Sequence, residues 1–379
     1  MSFPERYVVA PLTEKLYQKA GRERIPLSGT FELSPICNFS CRMCYVRKTK
    51  KEVEMHDRKI MTLDQWIWLG EKARDEGMLY LLLTGGEPLL WPDFWKLYDA
   101  LYEMGLLLAV NTNGSLINEE VIQRWKEKPP YKVNITLYGA SDDTYEKLCH
   151  AKQVYSKVKS AILKMKDAGL NIKLNCSLTP YNASDLEEMV NFAKKHKIQL
   201  TVSTYMYPPV RRDAKMTGQN DRFSPEEAAW YHMQRYRYQN GEEAYNKFLQ
   251  NIQKGVISPP GLDEECLDSR DGKVRCRAGS ATFWVTWDGY MTPCGMMPEP
   301  KVDLDGISFK EAWNKVVALS EKLHTSRICE ECSNQQMCHS CAAMAYAENG
   351  DTSVVPAYVC EMIQALKTLA EKELRSSGG

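Results

Sequence analysis

The sequence predicts an α/β protein, with a parallel sheet that is open or curled into part of a barrel, followed by a cysteine-rich C-terminal segment. Three observations predict it. Short apolar runs alternate with amphipathic stretches through residues 29–205, as buried parallel strands alternate with crossover helices. That alternation stops near residue 219. The 13 cysteines are unevenly placed, and eight of them fall within 266–360.

In chain order, the expected strands are 30–36, 79–84, 106–111, 132–137, 171–178 and 199–205. Thr62 with Gln65, and Ser184 with Glu187, have the spacing of a capping box and mark helix starts between strands. Six βα units in series imply a parallel sheet. Beyond it, Ser224-Pro225 with Glu227 signals a fresh helix, 258–265 reads as a loop, and 361–375 as a closing helix before a loose Ser-Ser-Gly-Gly end. The expected division is an N-terminal extension (1–28), a sheet-bearing domain (29–218), and a C-terminal domain with linking helices (219–379).

Lys+Arg and Asp+Glu both number 49, so the chain has no basic excess for nucleic acid as a main partner. No apolar run is long enough to span a bilayer. The N-terminal stretch lacks the layout of a signal peptide, so a cytoplasmic location is expected. An odd number of cysteines in such a compartment argues against a disulfide framework and for metal-bound thiolates.

Cys37, Cys41 and Cys44 form C-x3-C-x2-C directly after the first strand. Three thiolates so close can hold three irons of a [4Fe–4S] cube and leave the fourth open to a substrate or cofactor. Zinc is the alternative. The second strand runs into Gly85-Gly86-Glu87-Pro88. Two glycines there let backbone approach a ligand closely, and Glu87 adds an acceptor for an ammonium group. The next strands end in Asn111–Gly114, Tyr138–Ser141 and Thr179–Asn182. In parallel α/β folds that rim binds ligands, although each polar residue there also suits a plain turn.

The cysteine triplet followed by Tyr45, with GGEP after the next strand, resembles the radical S-adenosylmethionine (radical SAM) superfamily over about residues 29–205. The resemblance implies a partial (β/α)6 barrel. It implies that Cys37, Cys41 and Cys44 bind a cluster whose open iron is chelated by the amino and carboxylate groups of S-adenosylmethionine (SAM). Gly85, Gly86 and Glu87 would contact the SAM amino group, and Tyr45 would lie near the adenine. Asn113, Thr136 and Ser177 are candidates for the SAM carboxylate by position.

The remaining cysteines run Cys266-x9-Cys276, a Gly289-x4-Cys294 hairpin turning at Asp288-Gly289, then Cys329-x2-Cys332-x5-Cys338-x2-Cys341 and Cys360. This resembles the SPASM extension of radical SAM enzymes that modify peptides and proteins, and implies two auxiliary [4Fe–4S] clusters with interleaved ligands. One would take Cys276, Cys294, Cys341 and Cys266; the other would take Cys329, Cys332, Cys338 and Cys360. Structural zinc on the knuckle is the alternative. Interleaving predicts that Cys341 turns toward the hairpin while Cys338 joins the knuckle pair. Cys149 and Cys176 are left over, as packed or rim thiols.

By resemblance, a 5′-deoxyadenosyl radical from SAM would abstract hydrogen from a peptide or protein, and the auxiliary clusters point to an oxidative outcome. A flavodoxin- or ferredoxin-type reductant is implied. The alternatives are a dehydrogenase or epimerase of a small molecule, and a non-catalytic iron–sulfur electron carrier. Sulfatase-maturing relatives carry a catalytic aspartate after the hairpin cysteine; Gly295 stands there, which disfavours formylglycine formation. Arg211 and Arg212 read as solvated charges of an interdomain loop, with a substrate carboxylate as the alternative partner.

Overall fold

A computed structural model describes residues 12–219, 221–255 and 276–377. The strands are β1 (Ser28–Glu32), β2 (Tyr80–Thr84), β3 (Leu107–Thr112), β4 (Lys132–Thr136), β5 (Ile172–Ser177), β6 (Gln199–Ser203), β7 (Thr282–Val285), β8 (Tyr290–Thr292) and β9 (Val302–Asp303). The helices through the barrel are α1 (Leu12–Glu23), α2 (Lys50–Glu54), α3 (Leu63–Asp75), α4 (Phe94–Glu103), α5 (Glu119–Glu127), α6 (Asp142–Cys149), α7 (Tyr155–Asp167) and α8 (Leu186–Lys195). Then come α9 (Pro225–Asn240), α10 (Glu242–Gln253), α11 (Phe309–Ser320), α12 (Arg327–Glu330), α13 (Ala342–Asn349) and α14 (Ala357–Ser377).

All strands join one sheet in the order β6-β5-β4-β3-β2-β1-β7-β8-β9. From β6 to β7 every neighbour is parallel, while β8 and β9 add antiparallel. The first six strands and their helices form the partial barrel. The hairpin that follows is built onto it: β7 pairs along β1 from Ser28↔Thr282 to Phe31↔Val285. The sheet therefore continues past the expected boundary at 218/219.

Alternation along the strands separates two faces. Leu81, Leu83, Leu108, Val110, Val133, Ile135, Leu174 and Cys176 pack in one core with Trp66, Leu97, Trp125, Ile162 and Met189 of the helices. The opposite face carries half-buried polar residues, including Asn111, Asn134, Thr136, Asn175 and Ser177. A second core joins α9, α10 and α14 through Met233, Phe248, Ile252, Ile363 and Leu366.

The capping boxes at Thr62–Gln65 and Ser224–Glu227 form. The one expected at Ser184–Glu187 does not, because α8 starts at Leu186 behind Asp185. Asp185 is instead drawn to Ala140 N at 2.6 Å and Thr144 Oγ1 at 2.7 Å. β1 ends at Glu32 rather than 36, since Pro35 has no N–H to donate and the carbonyls of Ser34 and Ile36 are taken by the next turn. The closing helix α14 begins four residues earlier than expected, runs on through Ser377, and carries Cys360 in its first turn. Among the described residues no helix is long and apolar enough to cross a membrane, and no cysteine is in a disulfide. Cys266 lies outside the described residues.

Candidate active site

The cysteine loop after β1 takes its shape from the turn after β2. Leu33 N donates to Thr84 O at 2.9 Å, Gly86 N to Ser34 O at 2.7 Å and Glu87 N to Ile36 O at 3.0 Å. A Cβ at Gly85, whose φ is +153°, would come within 2.5 Å of Ser34 O, and one at Gly86 would overlap the Ile36 carbonyl. The glycines do permit close backbone approach. The backbone they approach is that of the cysteine loop itself.

Glu87 is fully buried, and its carboxylate accepts from Leu89 N at 3.2 Å, Thr112 Oγ1 at 2.8 Å and Asn113 N at 2.8 Å. It thereby ties the rim of β2 to the rim of β3. Asn113 carries the tie onward: its amide donates to Asn38 Oδ1 at 2.9 Å and lies 3.8 Å from Cys37 Sγ. Its Oδ1 accepts from Ser115 N and Ser115 Oγ, and Asn38 Nδ2 donates to Ser115 Oγ at 2.8 Å.

Burial pushes the Glu87 carboxyl up to about 7, against the lowering pull of the Asn113, Thr112 and Leu89 donors. A folded-state value above the unfolded one means that the folded chain holds the proton more tightly, so stability is lost as pH rises toward 7. Glu87→Gln, which resembles the protonated form, is expected to flatten the fall in melting temperature between pH 5 and 7. An unchanged slope would show that another group controls it.

The three sulfurs sit in different surroundings. Cys37 accepts from Phe39 N and Cys44 from Arg47 N, each at 3.3 Å. Burial pushes the Cys37 thiol up to about 12 and raises that of Cys44. Cys41 is shifted the other way, first by a hydrogen bond from Cys149 and also by one from Tyr138. Arg47 Nε is buried and has no partner among the described residues, and its charge also favours the Cys41 thiolate. Three cysteine sulfurs, amide donors and a guanidinium N–H suit an iron–sulfur group, whose core and thiolates are electron-rich.

Tyr45 lies next to Cys44 on the side facing the C-terminal hairpin. Burial raises its phenol, and the charges acting on it come from Arg211, Glu32, Cys44 and Cys294. The Arg211 guanidinium stands 5.7 Å from its ring centroid. Arg211 is not a solvated loop charge, which corrects the sequence expectation. Its side chain is 10% exposed and forks onto fully buried Glu32 at 2.9 and 3.0 Å. It also donates to Gly295 O at 2.7 Å, and Trp284 Nε1 donates to Glu32 at 3.0 Å. This knot joins the exit of β6, the end of β1 and the hairpin. Arg212 is exposed.

Thr136 and Ser177 end β4 and β5, with register partners Asn175 and Ser203. Both share the polar sheet face with Asn111 and Asn134, which are bonded at 2.8 Å. The alternation in Lys-Val-Asn-Ile-Thr and Ile-Lys-Leu-Asn-Cys-Ser was the available signal for a polar face.

In the C-terminal part, Cys294 and Cys341 pack in one group with Tyr207, Met297 and Ala342. Burial pushes the Cys294 thiol up to about 11, and Cys341 adds to that rise. The Tyr207 hydroxyl is 3.7 Å from Cys341 Sγ, a partner that sequence reading did not find. Cys338 instead packs against the α9–α10–α14 core. Burial raises the Cys360 thiol, and the next contributions come from Cys338, Cys329 and Cys332. Among the described residues no three Cys, His, Asp or Glu side chains meet at coordination spacing.

A parallel partial barrel whose first strand opens into three spaced cysteines, zipped to a Gly-Gly-Glu turn, is the arrangement that the radical SAM resemblance implies. Residues 31–193 match the profile of the Radical SAM superfamily. An AdoMet-dependent heme synthase of Methanosarcina barkeri is 20% identical over 331 residues, covering 85% of this chain and 92% of that protein. A probable GTP 3',8-cyclase of Sulfolobus acidocaldarius is 31% identical over 180 residues, covering 47% of this chain and 55% of that protein. Among solved structures, SuiB of Streptococcus suis bound to S-adenosylmethionine aligns with TM-score 0.63 at 15% identity, over 95% of this chain and 83% of SuiB. anSMEcpe with bound AdoMet aligns with TM-score 0.64 at 17% identity, over 93% of this chain and 99% of that chain. The structural likenesses concern the fold.

Proposed function

We propose that this chain is a radical SAM enzyme of the SPASM type that modifies a peptide or protein oxidatively, by crosslink, thioether or dehydrogenation. Cys37, Cys41 and Cys44 hold the SAM-binding cluster. Gly85, Gly86 and Glu87 serve the SAM amino group, Asn113, Thr136 and Ser177 its carboxylate, and Tyr45 its adenine. When bound, cluster and SAM supply a hydrogen-abstracting 5′-deoxyadenosyl radical. Cys276, Cys294 and Cys341, with Cys266, hold one auxiliary cluster, and Cys329, Cys332, Cys338 and Cys360 hold the other. A flavodoxin- or ferredoxin-type protein is the reductant.

The observation that carries the reading is the parting of Cys338 and Cys341 across a two-residue link. Cys341 packs with Cys294, while Cys338 packs against the α9–α10–α14 core, and Cys360 stands on α14. An ordinary four-cysteine zinc knuckle would keep both on one centre. The peptide class is supported by the solved complexes of SuiB with precursor peptide SuiA and of anSMEcpe with the Cp18Cys peptide. Formylglycine formation is not proposed, because a Cβ at Gly295 would overlap the Trp284 ring.

A small-molecule substrate is the second reading, favoured by the heme synthase relative that matches 92% of its own length. The reduced protein is expected to cleave SAM slowly to 5′-deoxyadenosine without substrate. Peptides encoded near the gene, added singly, are then followed by mass spectrometry. Faster turnover with a peptide lighter by two hydrogens supports the oxidative peptide reading, and an unchanged mass with stimulated turnover points to epimerisation. Stimulation by a small molecule and by no peptide moves the assignment to the second reading.

A further inference from the structure

Tyr207 has no part in the cluster assignment, yet it reaches one of the assigned cysteines. Its hydroxyl stands 3.7 Å from Cys341 Sγ, within hydrogen-bonding reach of an acceptor as large as sulfur. The two residues lie 134 positions apart in the chain. Tyr207 comes from the barrel, just past the end of β6, while Cys341 is the N-cap residue of α13.

The Tyr207 ring is held independently of the sulfur. It meets the Tyr205 ring edge-on, with centroids 4.9 Å apart, and packs with Met297, Ala342 and Ala343 in the group that also holds Cys294 and Cys341. Nor is its hydroxyl needed to bind α13 to the exit of β6. At the other end of that helix, Glu348 accepts from Tyr205 at 2.6 Å and from the Arg222 fork at 2.6 and 2.8 Å. Other cysteines are served differently. Cys294 and Cys332 accept from the backbone N–H groups of Met296 and Asn334, each at 3.4 Å. The Cys341 side chain makes no capping bond to the amides that open α13. Donors aimed at Cys294 and Cys341, two sulfurs of one packing group, fit an electron-rich iron–sulfur group.

We propose that Tyr207 is a positioning residue that raises the reduction potential of the auxiliary cluster held by Cys294 and Cys341, by donating its O–H to the Cys341 sulfur. The proposal rests on the reading of those two cysteines as ligands of one cluster. A sulfur bound to iron is a thiolate without a proton, so the hydroxyl is the donor. Reduction adds one electron and spreads negative charge onto the sulfurs, so a donor there stabilises the reduced form more than the oxidised one. Backbone donors persist whatever the side chain, whereas this one exists only because residue 207 is a tyrosine.

The test is a redox titration, followed by electron paramagnetic resonance, of the anaerobically reconstituted full chain. The signal read is the one that Cys294→Ala removes, which separates this cluster from the others. Tyr207→Phe is expected to make its reduction roughly tenfold less favourable, a fall of ~59 mV for one electron, with the other midpoints unmoved. A ring-fluorinated tyrosine at position 207, a stronger donor of nearly the same shape, is expected to shift the midpoint upward. A merely structural role would give no such rise, and this chain reads the effect even if Tyr207→Phe fails to fold. Tyr346→Phe, in the same packing group but with no hydroxyl bond to a cysteine among the described residues, is expected to keep the wild-type midpoint. Wild-type midpoints in both the Tyr207→Phe and the fluorinated chain would overturn the proposal, as would equal shifts in every signal. Absence from the wild-type chain of any signal that depends on Cys294 would instead remove the ligand reading beneath it, and the proposal with it.

Discussion

Arg211→Met is expected to destabilise the chain by about 3–5 kcal/mol, the usual cost of leaving one partner of a buried ion pair behind. Glu32 is 0% exposed, and without Arg211 its remaining side-chain donor among the described residues is Trp284 Nε1. A loss of that size is a large share of the roughly 5–15 kcal/mol that holds a typical domain folded. The damage also reaches the site. Arg211 bonds the carbonyl of Gly295, the residue after Cys294, so the hairpin cysteine loses its link to the exit of β6. Replacing both members of the pair by apolar residues, Glu32→Leu with Arg211→Met, is expected to recover most of the stability, because no unpaired charge is then buried. Urea unfolding midpoints of the single and double variants decide the matter. A single variant within about 0.5 kcal/mol of wild type, the range of ordinary surface changes, would contradict it.

Changing Cys37, Cys41 and Cys44 together to Ala is expected to abolish formation of 5′-deoxyadenosine while leaving the chain folded. The loop does not depend on its sulfurs for shape. Leu33–Ile36 are held by backbone bonds to the Thr84–Glu87 turn, Asn38 by Ser115 and Asn113, and Ser40 and Arg42 by the carbonyls that end α6. The C-terminal cysteines pack in other groups, so any cluster they hold is expected to persist. Liquid chromatography of the nucleoside, alongside near-ultraviolet circular dichroism, checks both halves. Cleavage continuing at the wild-type rate would remove the triplet from the chemistry.

The parts of the fold that the sequence made legible are those set by local patterns. Six strands appear where apolar runs stood, and the capping boxes of Thr62 and Ser224 form because their partners lie three residues away. What was not legible depends on distant pairing. Arg211 read as solvated because its partner Glu32 is 179 positions away in the chain. β7 was seen as half of a hairpin, but its place along β1 rests on a register between strands from opposite ends of the described chain. The Ser184 box failed because the side chain of Asp185 found donors more than 40 residues upstream, at Thr144 and Ala140.

The central claim is that three cysteine sets hold three iron–sulfur cubes, and metal and sulfide analysis of anaerobically reconstituted protein tests it most directly. The account predicts about twelve irons and twelve sulfides per chain, falling by about a third in the Cys37/Cys41/Cys44→Ala variant. Stoichiometric zinc without sulfide, in protein made and purified without oxygen, would contradict it.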